Sequence, residues 1–160
     1  MPLMMSAPVS MTFTPSVFPA PATTATAKRF LRILYADDVR ELRDVARLSF
    51  SREGHGIECV ADGQIAIARV AADPHFDLVI TDHHMPNMNG LDVVRHLREM
   101  EFPGKIMVFS SDLGSVVASE YEQLKVDRIL YKPVYPSVLR QTIAEMFPGV
   151  QSTKREAPHA

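Results

Sequence analysis

Residues 76–82 read FDLVITD, and residues 83–90 continue with HHMPNMNG. The apolar run in the first segment is too short for a helix and lacks the polar alternation of a half-exposed strand. A run of this kind is typical of a strand that is buried on both faces of a parallel sheet. Asp82 would lie at the carboxyl end of that strand, and the Pro, Asn and Gly residues that follow it predict a turn.

Strands and helices alternate along the rest of the chain. Further strands are predicted over about 31–36, 57–61, 105–110 and 128–131, and helices over about 39–52, 63–73, 91–100, 114–124 and 136–147. Asp62 is predicted to cap the second helix and Pro136 to begin the last. The first helix is expected to bury one face, which carries Leu42, Val45, Ala46 and Phe50. This alternation favours a doubly wound α/β fold with a five-stranded parallel sheet and right-handed crossovers.

The length of 160 residues suits one domain with unstructured margins. Residues 1–28 are rich in Met, Pro, Thr and Ala and carry no charge before Lys28, so we expect a disordered leader. The domain is expected at 29–148 and a flexible polar tail at 149–160. Because no second folded domain fits, we expect a stand-alone module, without a membrane-spanning segment.

Charge and cysteine content restrict the function classes. The formal net charge of −2 gives no basic excess for a nucleic-acid surface, so we expect no nucleic-acid partner. Cys59 is the single cysteine of the sequence, which rules out an internal disulfide. A reducing, cytoplasmic compartment is therefore the default expectation.

Acidic and polar residues follow several of the predicted strands. Asp37 and Asp38 follow the first strand, Asp82 and Ser110 end the third and fourth, and Lys132 follows the fifth. The carboxyl ends of parallel strands open on one edge, where α/β folds place ligands. Three carboxylates there need a divalent cation, and oxygen ligands suit Mg²⁺. One carboxylate can then attack a phosphoryl group while Lys132 neutralises its oxygens, which predicts a Mg²⁺-dependent aspartyl phosphorylation site.

The segment from about Lys28 to Phe147 resembles the receiver domain of two-component response regulators. The matching motifs are Asp37-Asp38, Asp82-x-x-Met85-Pro86-x-Met88-Asn89-Gly90, Ser110 and Lys132-Pro133. The resemblance implies a flavodoxin-like (βα)5 sheet with strand order 2-1-3-4-5. It also implies that Asp82 accepts a phosphoryl group from a phosphohistidine on a sensor histidine kinase or a histidine phosphotransfer protein.

Further site roles are implied by the same resemblance. Asp37 and Asp38 would hold Mg²⁺ together with Asp82, with Asp38 the more direct ligand, and the backbone carbonyl of His84 would complete the set. Lys132 would contact the phosphoryl group and form a cis bond to Pro133. Ser110 would move toward the phosphoryl group and carry the signal to the face formed by the fourth helix, fifth strand and fifth helix.

Two features of the sequence depart from the family pattern. Receivers usually carry a Tyr or Phe three residues before the lysine, where this chain has Ile129. The adjacent His83 and His84 are also unusual, and they suggest a transition-metal site as an alternative. We expect instead that the two side chains diverge and that His84 lines the route of the hydrolytic water. In the family, that position and Asp112 influence how long the phosphoryl group survives.

Three functions remain open at this point. The first is a phosphorylation-controlled interaction module that acts on an unidentified downstream protein and is not an enzyme toward separate substrates. The second is a Mg²⁺-dependent phosphatase, although such enzymes place an acid where His84 stands. The third is a receiver-like scaffold that is never phosphorylated. A phosphorylation-dependent homodimer could use Val116, Val117, Ile129, Tyr131 and Tyr135, but we expect most of these five in the core.

Overall fold

The computed structural model describes residues 30–150, so the predicted leader at 1–28 and residues 151–160 of the predicted tail lie outside the described residues. The strands are β1 (Arg32–Ala36), β2 (Gly56–Val60), β3 (Leu78–Asp82), β4 (Lys105–Ser110) and β5 (Arg128–Tyr131). The helices are α1 (Arg40–Arg52), α2 (Gly63–Ala72), α3 (Gly90–Glu99), α4 (Ser115–Gln123) and α5 (Pro136–Met146). Each predicted strand and helix is present.

The strands form one parallel sheet in the order β2-β1-β3-β4-β5. The predicted flavodoxin-like fold is therefore confirmed. β3 lies at the centre, where Ile80 pairs with Tyr35 of β1 and with Met107 of β4. All five residues of β3 are buried, which explains why residues 76–82 read as a nearly continuous apolar run.

Successive residues of the strands supply two core layers, because strand side chains alternate between faces. Leu34 and Val79 pack on the side covered by α2, α3 and α4, whereas Ile33 and Ile80 pack on the side covered by α1 and α5. Helices cover both faces, and sheets of this kind bind their ligands at the carboxyl ends of the strands. The residues at the carboxyl ends are therefore the ones placed for chemistry.

Local signals in the sequence fix several helix termini. The Asp62 carboxylate accepts a hydrogen bond from the backbone N–H of Gln64, as predicted for a cap, and Pro136 is in the first turn of α5. Asn89 caps α3 by accepting from the backbone N–H of Asp92. The chain leaves the third strand and enters α3 through a turn that this cap closes.

The structure corrects two expectations about burial. In α1 only Ala46 and Phe50 are buried, whereas Leu42 and Val45 are substantially exposed, because the helix turns just a narrow side toward the sheet. Of the five residues considered for an interface, most do not belong to the core. Val116, Tyr131 and Tyr135 are exposed, and Val117 and Ile129 are partly buried. None of the helices between residues 30 and 150 has the length and apolar content needed to cross a membrane.

Candidate functional site

Three carboxylates from two neighbouring strands converge at the carboxyl edge of the sheet. Asp37 and Asp38 follow β1, and Asp82 ends β3, with which β1 is paired. One oxygen from each of the three side chains lies within 4.8 Å of the others. Asp37 and Asp82 are buried, while Asp38 is exposed. The pocket therefore has a fixed floor and one carboxylate at its open side.

Asp37 is held by three donors from the protein itself. Its Oδ2 accepts hydrogen bonds from the Tyr35 hydroxyl at 2.9 Å and from Lys132 Nζ at 3.0 Å. Its Oδ1 accepts from the backbone N–H of Val39 at 2.9 Å. Asp37 is thus oriented before any ligand enters, which leaves the exposed Asp38 as the carboxylate with the freest approach to a cation.

Lys132 reaches the pocket from the end of β5. Its Nζ lies 3.0 Å from Asp37 Oδ2 and 3.1 Å from Asp82 Oδ1. The backbone N–H of Lys132 donates to the carbonyl oxygen of Ser110 at 2.7 Å, and the bond to Pro133 is cis, as the resemblance implies. Burial by itself would lower the pKa of Lys132, but hydrogen bonds and charge from Asp37 and Asp82 outweigh burial and raise it. The lysine is therefore a fixed positive charge in the pocket.

The electrostatics of the pocket favour a divalent cation. Burial, with Asp37 and Asp38 nearby, raises the pKa of Asp82 in spite of the attraction of Lys132. Two carboxylates near 4.8 Å repel by roughly 3–4 kcal/mol at an effective dielectric of about 20. Three carboxylates and one ammonium leave a formal charge of −2, which a divalent cation neutralises. An all-oxygen donor set that is open on one side suits Mg²⁺, which retains several of its waters.

Two residues that support the pocket were missed in the sequence. The guanidinium of Arg43 on α1 donates to the backbone carbonyl oxygens of Asp37 at 2.7 Å and Asp38 at 2.9 Å. Tyr35 donates its hydroxyl to Asp37. Tyr35 carried a readable signal, since it stands two residues before Asp37 and thus on the same face of an otherwise apolar strand. Arg43 carried none, because its contact depends on how α1 leaves the sheet.

A family model described as the response regulator receiver domain matches residues 33–144. The chain belongs to this family. Members of it bind Mg²⁺ at an acidic pocket of this kind, and they serve as signalling modules in two-component systems.

The relatives of this receiver include sensory proteins and response regulators. It is 34% identical over 122 residues to the sensory/regulatory protein RpfC of Xanthomonas campestris, and this match covers 74% of this chain and 17% of RpfC. It is 32% identical over 126 residues to the response regulator MprA of Mycobacterium avium, which covers 79% of this chain and 54% of MprA. The chain therefore spans much less than the full length of RpfC and about half of MprA.

Solved structures share the fold. A response regulator receiver protein from Pseudomonas putida matches with a TM-score of 0.69 and 25% identity, over 73% of this chain and 98% of that one. The chemotaxis protein CheY4 of Vibrio cholerae matches with a TM-score of 0.68 and 23% identity, over 74% of this chain and all of that one. The second similarity concerns the fold alone.

The loop between Asp82 and α3 in this receiver is closed tightly. The backbone N–H of His83 donates to the carbonyl oxygen of Phe109, and the backbone N–H of Gly90 donates to the carbonyl oxygen of His83. A Cβ atom at position 90 would lie 2.5 Å from the carbonyl oxygen of Asp82, so the closure requires glycine. The His83 ring extends toward α4, where its Nδ1 lies 2.7 Å from the Tyr121 hydroxyl.

The two histidines do not diverge as expected. Their rings meet edge to face with centroids 4.6 Å apart, because His83 is held by Tyr121 and His84 folds against it. Burial and the neighbouring His84 lower the pKa of His83. Within residues 30–150, the convergent set of His, Cys, Asp and Glu ligands is the aspartate trio, and neither imidazole belongs to it. A transition-metal site built on the two histidines therefore has no support here.

Ser110 lies at the end of β4 and is buried. Its hydroxyl donates to the carbonyl oxygen of Asp112 at 2.9 Å, so it is engaged with the loop that precedes α4. The backbone carbonyl oxygen of Ser110 accepts a hydrogen bond from the backbone N–H of Lys132. The serine is thus placed at the junction of the acidic pocket and the β4–α4 loop.

The raised pKa of Asp82 predicts the effect of Asp82→Asn on stability. A raised pKa means that the fold favours the protonated carboxyl, so this stabilisation is present at low pH and is lost as pH rises through the folded pKa. Asp82→Asn mimics the protonated form. We expect it to raise the free energy of unfolding by roughly 1 kcal/mol at neutral pH in metal-free buffer.

Urea unfolding across a pH series measures this effect. The difference in free energy of unfolding between Asp82→Asn and the wild type should become smaller as pH falls through the folded pKa of Asp82. The reason is that the wild-type carboxyl is then protonated and also neutral. The exposed Asp112 provides the control, and Asp112→Asn should leave stability unchanged within about 0.5 kcal/mol. An Asp82→Asn protein that is less stable than wild type at neutral pH would refute the electrostatic description of the pocket.

Proposed function

We propose that this receiver accepts a phosphoryl group on Asp82 from a phosphohistidine of a sensor histidine kinase or a histidine phosphotransfer protein, in a Mg²⁺-dependent reaction. The phosphorylated state then changes which protein surfaces the receiver presents. The observation that carries the proposal is the placement of Lys132 Nζ 3.1 Å from Asp82, within a pocket formed by two further carboxylates. The proposal also places this reaction in the cytoplasm, as expected from the sequence.

The chemistry follows from the groups in the pocket. An Asp82 carboxylate oxygen attacks the phosphorus of the phosphohistidine, a P–O bond forms and the P–N bond breaks. The electron pair of the broken bond remains on the imidazole nitrogen, which takes up a proton. Lys132 stabilises negative charge on the phosphoryl oxygens as they pass through the transition state. The reaction therefore requires Asp82 as an anion beside a positive charge.

Asp37, Asp38 and Asp82 would hold the Mg²⁺, with the backbone carbonyl of His84 as a further ligand. When bound, Mg²⁺ supplies positive charge that permits the carboxylates and the phosphoryl oxygens to coexist. Arg43 and Tyr35 keep the acidic loop and Asp37 in place. These contacts lower the reorganisation needed when the donor arrives.

A row of exposed apolar residues at the start of α1 and along it offers a docking surface for the phosphoryl donor. Val39, Leu42, Val45 and Leu48 are each more than a third exposed, and α1 begins two residues after Asp38. A donor histidine must come within bonding distance of Asp82, so its protein must cover the mouth of the pocket. The apolar row lies beside that mouth and would be stabilised by being covered.

Ser110 would connect phosphorylation to output. Its hydroxyl now donates to the carbonyl oxygen of Asp112. A phosphoryl oxygen on Asp82 is a stronger, charged acceptor, so the hydroxyl would turn toward it and release the β4–α4 loop. The face formed by α4, β5 and α5 follows that loop and carries the exposed Val116, Tyr131 and Tyr135. A downstream protein or a second copy of this chain would bind there.

Two other functions fit the fold less well. A phosphatase would need an acid two residues after the nucleophile and an enclosure for substrate, whereas His84 stands at that position and is exposed. A scaffold that is never phosphorylated has Ile129 in its favour but does not explain why Lys132 contacts both Asp37 and Asp82. One experiment separates the three functions.

Incubation with acetyl phosphate and Mg²⁺ should produce one acyl phosphate per chain, located at Asp82. Intact mass spectrometry after borohydride trapping measures it. Asp82→Asn should remain unmodified, and Lys132→Ala should be modified at least about tenfold more slowly because a charge next to the phosphoryl oxygens is lost. The matched control is the exposed Lys125, whose change to Ala should not alter the rate.

Other outcomes of that incubation would exclude the proposal. An unmodified wild-type protein would favour the scaffold, and continuous release of phosphate over many turnovers would favour the phosphatase. If the wild type is modified, candidate phosphohistidine proteins can be tested as donors. The donor is the protein that transfers its phosphoryl group to the wild type but not to Asp82→Asn.

Replacement of His84 tests its proposed effect on the phosphoryl lifetime. The exposed imidazole stands two residues after Asp82, where it can order an attacking water. We expect His84→Ala to slow hydrolysis of the acyl phosphate by about three- to tenfold. The decay of the trapped species over time measures the rate, with the exposed His96→Ala on α3 as the control. An unchanged rate would remove His84 from this role.

Phosphorylation-dependent dimerisation is expected if the α4–β5–α5 face binds a second copy. Sedimentation should then show a mass shift toward the dimer when beryllofluoride and Mg²⁺ are added. Tyr135→Asp should abolish the shift, because the side chain is 63% exposed in the single chain and a carboxylate would be buried in the dimer. An unchanged mass in the wild type would show that the face serves a different partner.

A further inference from the structure

The only buried residue among the nine of α4 is Tyr121, which is 0% exposed. Outside Tyr121, the helix is held by the ion pair of Glu120 with Arg95 of α3 and by the partly buried Val117. Its N-cap, Gly114, makes no side-chain hydrogen bond, and its first turn has no acidic residue. Helices of this length are not stable alone and depend on packing for their position. Tyr121 is therefore the buried anchor of α4, and the contact that holds it helps to set the position of the helix.

The Tyr121 hydroxyl is bound to the residue directly after Asp82. It lies 2.7 Å from His83 Nδ1, and the two rings pack edge to face with centroids 5.6 Å apart. A buried hydroxyl needs a hydrogen-bond partner, so a shift of α4 away from the loop would leave it unpaired in an apolar site. α4 and the loop must therefore move together or break this contact.

His83 is itself fixed to the loop that carries Asp82. Its backbone N–H and carbonyl oxygen are paired with Phe109 and Gly90. A Cβ atom at position 90 would come within 3.0 Å of the Tyr121 hydroxyl, which shows how closely this phenol packs on the loop closure. A displacement of the backbone at Asp82 is thus passed to His83 and from there to α4.

Position 129 of the fifth strand offers no hydrogen-bonding link to the pocket. Ile129 stands where receivers usually carry an aromatic residue, and it has no polar atom in its side chain. It is partly buried and packs against the same core layer that contains Tyr121. A long-range aromatic contact to the pocket is present in this chain, but it comes from α4.

We propose that Tyr121, acting through His83, is a positioning residue that couples the Asp82 loop to α4. It would serve as the coupling residue in place of the aromatic residue that receivers usually carry at the position of Ile129. This inference rests on the proposed function, because the coupled event is occupation of the site by a phosphoryl group. Coupling between two sites is reciprocal, so weakening the link must both reduce the response of α4 and change the affinity for a phosphoryl analogue.

The test compares Tyr121→Phe with wild type in the presence of Mg²⁺, with and without beryllofluoride. Hydrogen exchange of residues 115–123 reports on α4, and titration of beryllofluoride reports on the site. In the wild type we expect exchange in α4 to change on binding. In Tyr121→Phe we expect that change in exchange to fall by at least half and the beryllofluoride affinity to change about two- to tenfold. His75→Phe, an exposed histidine that precedes β3, should behave as wild type.

A second variant guards against a purely structural effect. His83→Phe keeps an aromatic ring but removes the nitrogen, so it should reproduce the Tyr121→Phe behaviour. If both act through the one hydrogen bond, the double variant should be no worse than either single variant. Additive losses, or a Tyr121→Phe protein with unchanged exchange and affinity, would refute the coupling.

The outcomes also separate this inference from the proposed function. If the wild type binds no beryllofluoride and gains no phosphoryl group from acetyl phosphate, the proposed function fails. If the wild type is modified at Asp82 and Tyr121→Phe shows the same exchange in α4 and the same beryllofluoride affinity as the wild type, only the coupling fails.

Discussion

The mutual repulsion of three carboxylates is the constraint on which this receiver depends. Asp37, Asp38 and Asp82 come from two paired strands and lie within 4.8 Å of one another. The protein itself offsets one of the three formal charges with Lys132. It leaves the remaining formal charge of −2 for a divalent cation to neutralise. The pocket is therefore not ready to react until a divalent cation is bound.

The surrounding structure keeps these groups in position while they repel. The central strand is buried on both faces, so Asp82 cannot move without disturbing the core. Asp37 is held by three donors, and Arg43 fixes the backbone of the acidic loop. Asp38 differs because it is exposed. Rigidity in two carboxylates and access to the third are what a site for a hydrated cation requires.

Much of this arrangement could be predicted from the sequence. The end of a buried strand fixes the direction of the residues that follow it, which brought Asp37, Asp38, Asp82 and Lys132 to one edge. The side-chain contacts between distant elements could not be predicted. Tyr121 and His83 are 38 positions apart, and their contact depends on the path of α4 across the sheet. The exposure of Leu42 and Val45 was missed because apolar spacing does not reveal how narrow the buried side of α1 is.

The central claim is that the aspartate trio forms one site for a divalent cation, and calorimetric titration with Mg²⁺ tests it most directly. The wild type should bind one Mg²⁺ per chain, and Asp38→Asn should weaken binding at least about tenfold because it removes the most accessible carboxylate. Asp112→Asn, outside the trio, should bind as the wild type does. Equal affinity in wild type and Asp38→Asn would contradict the account.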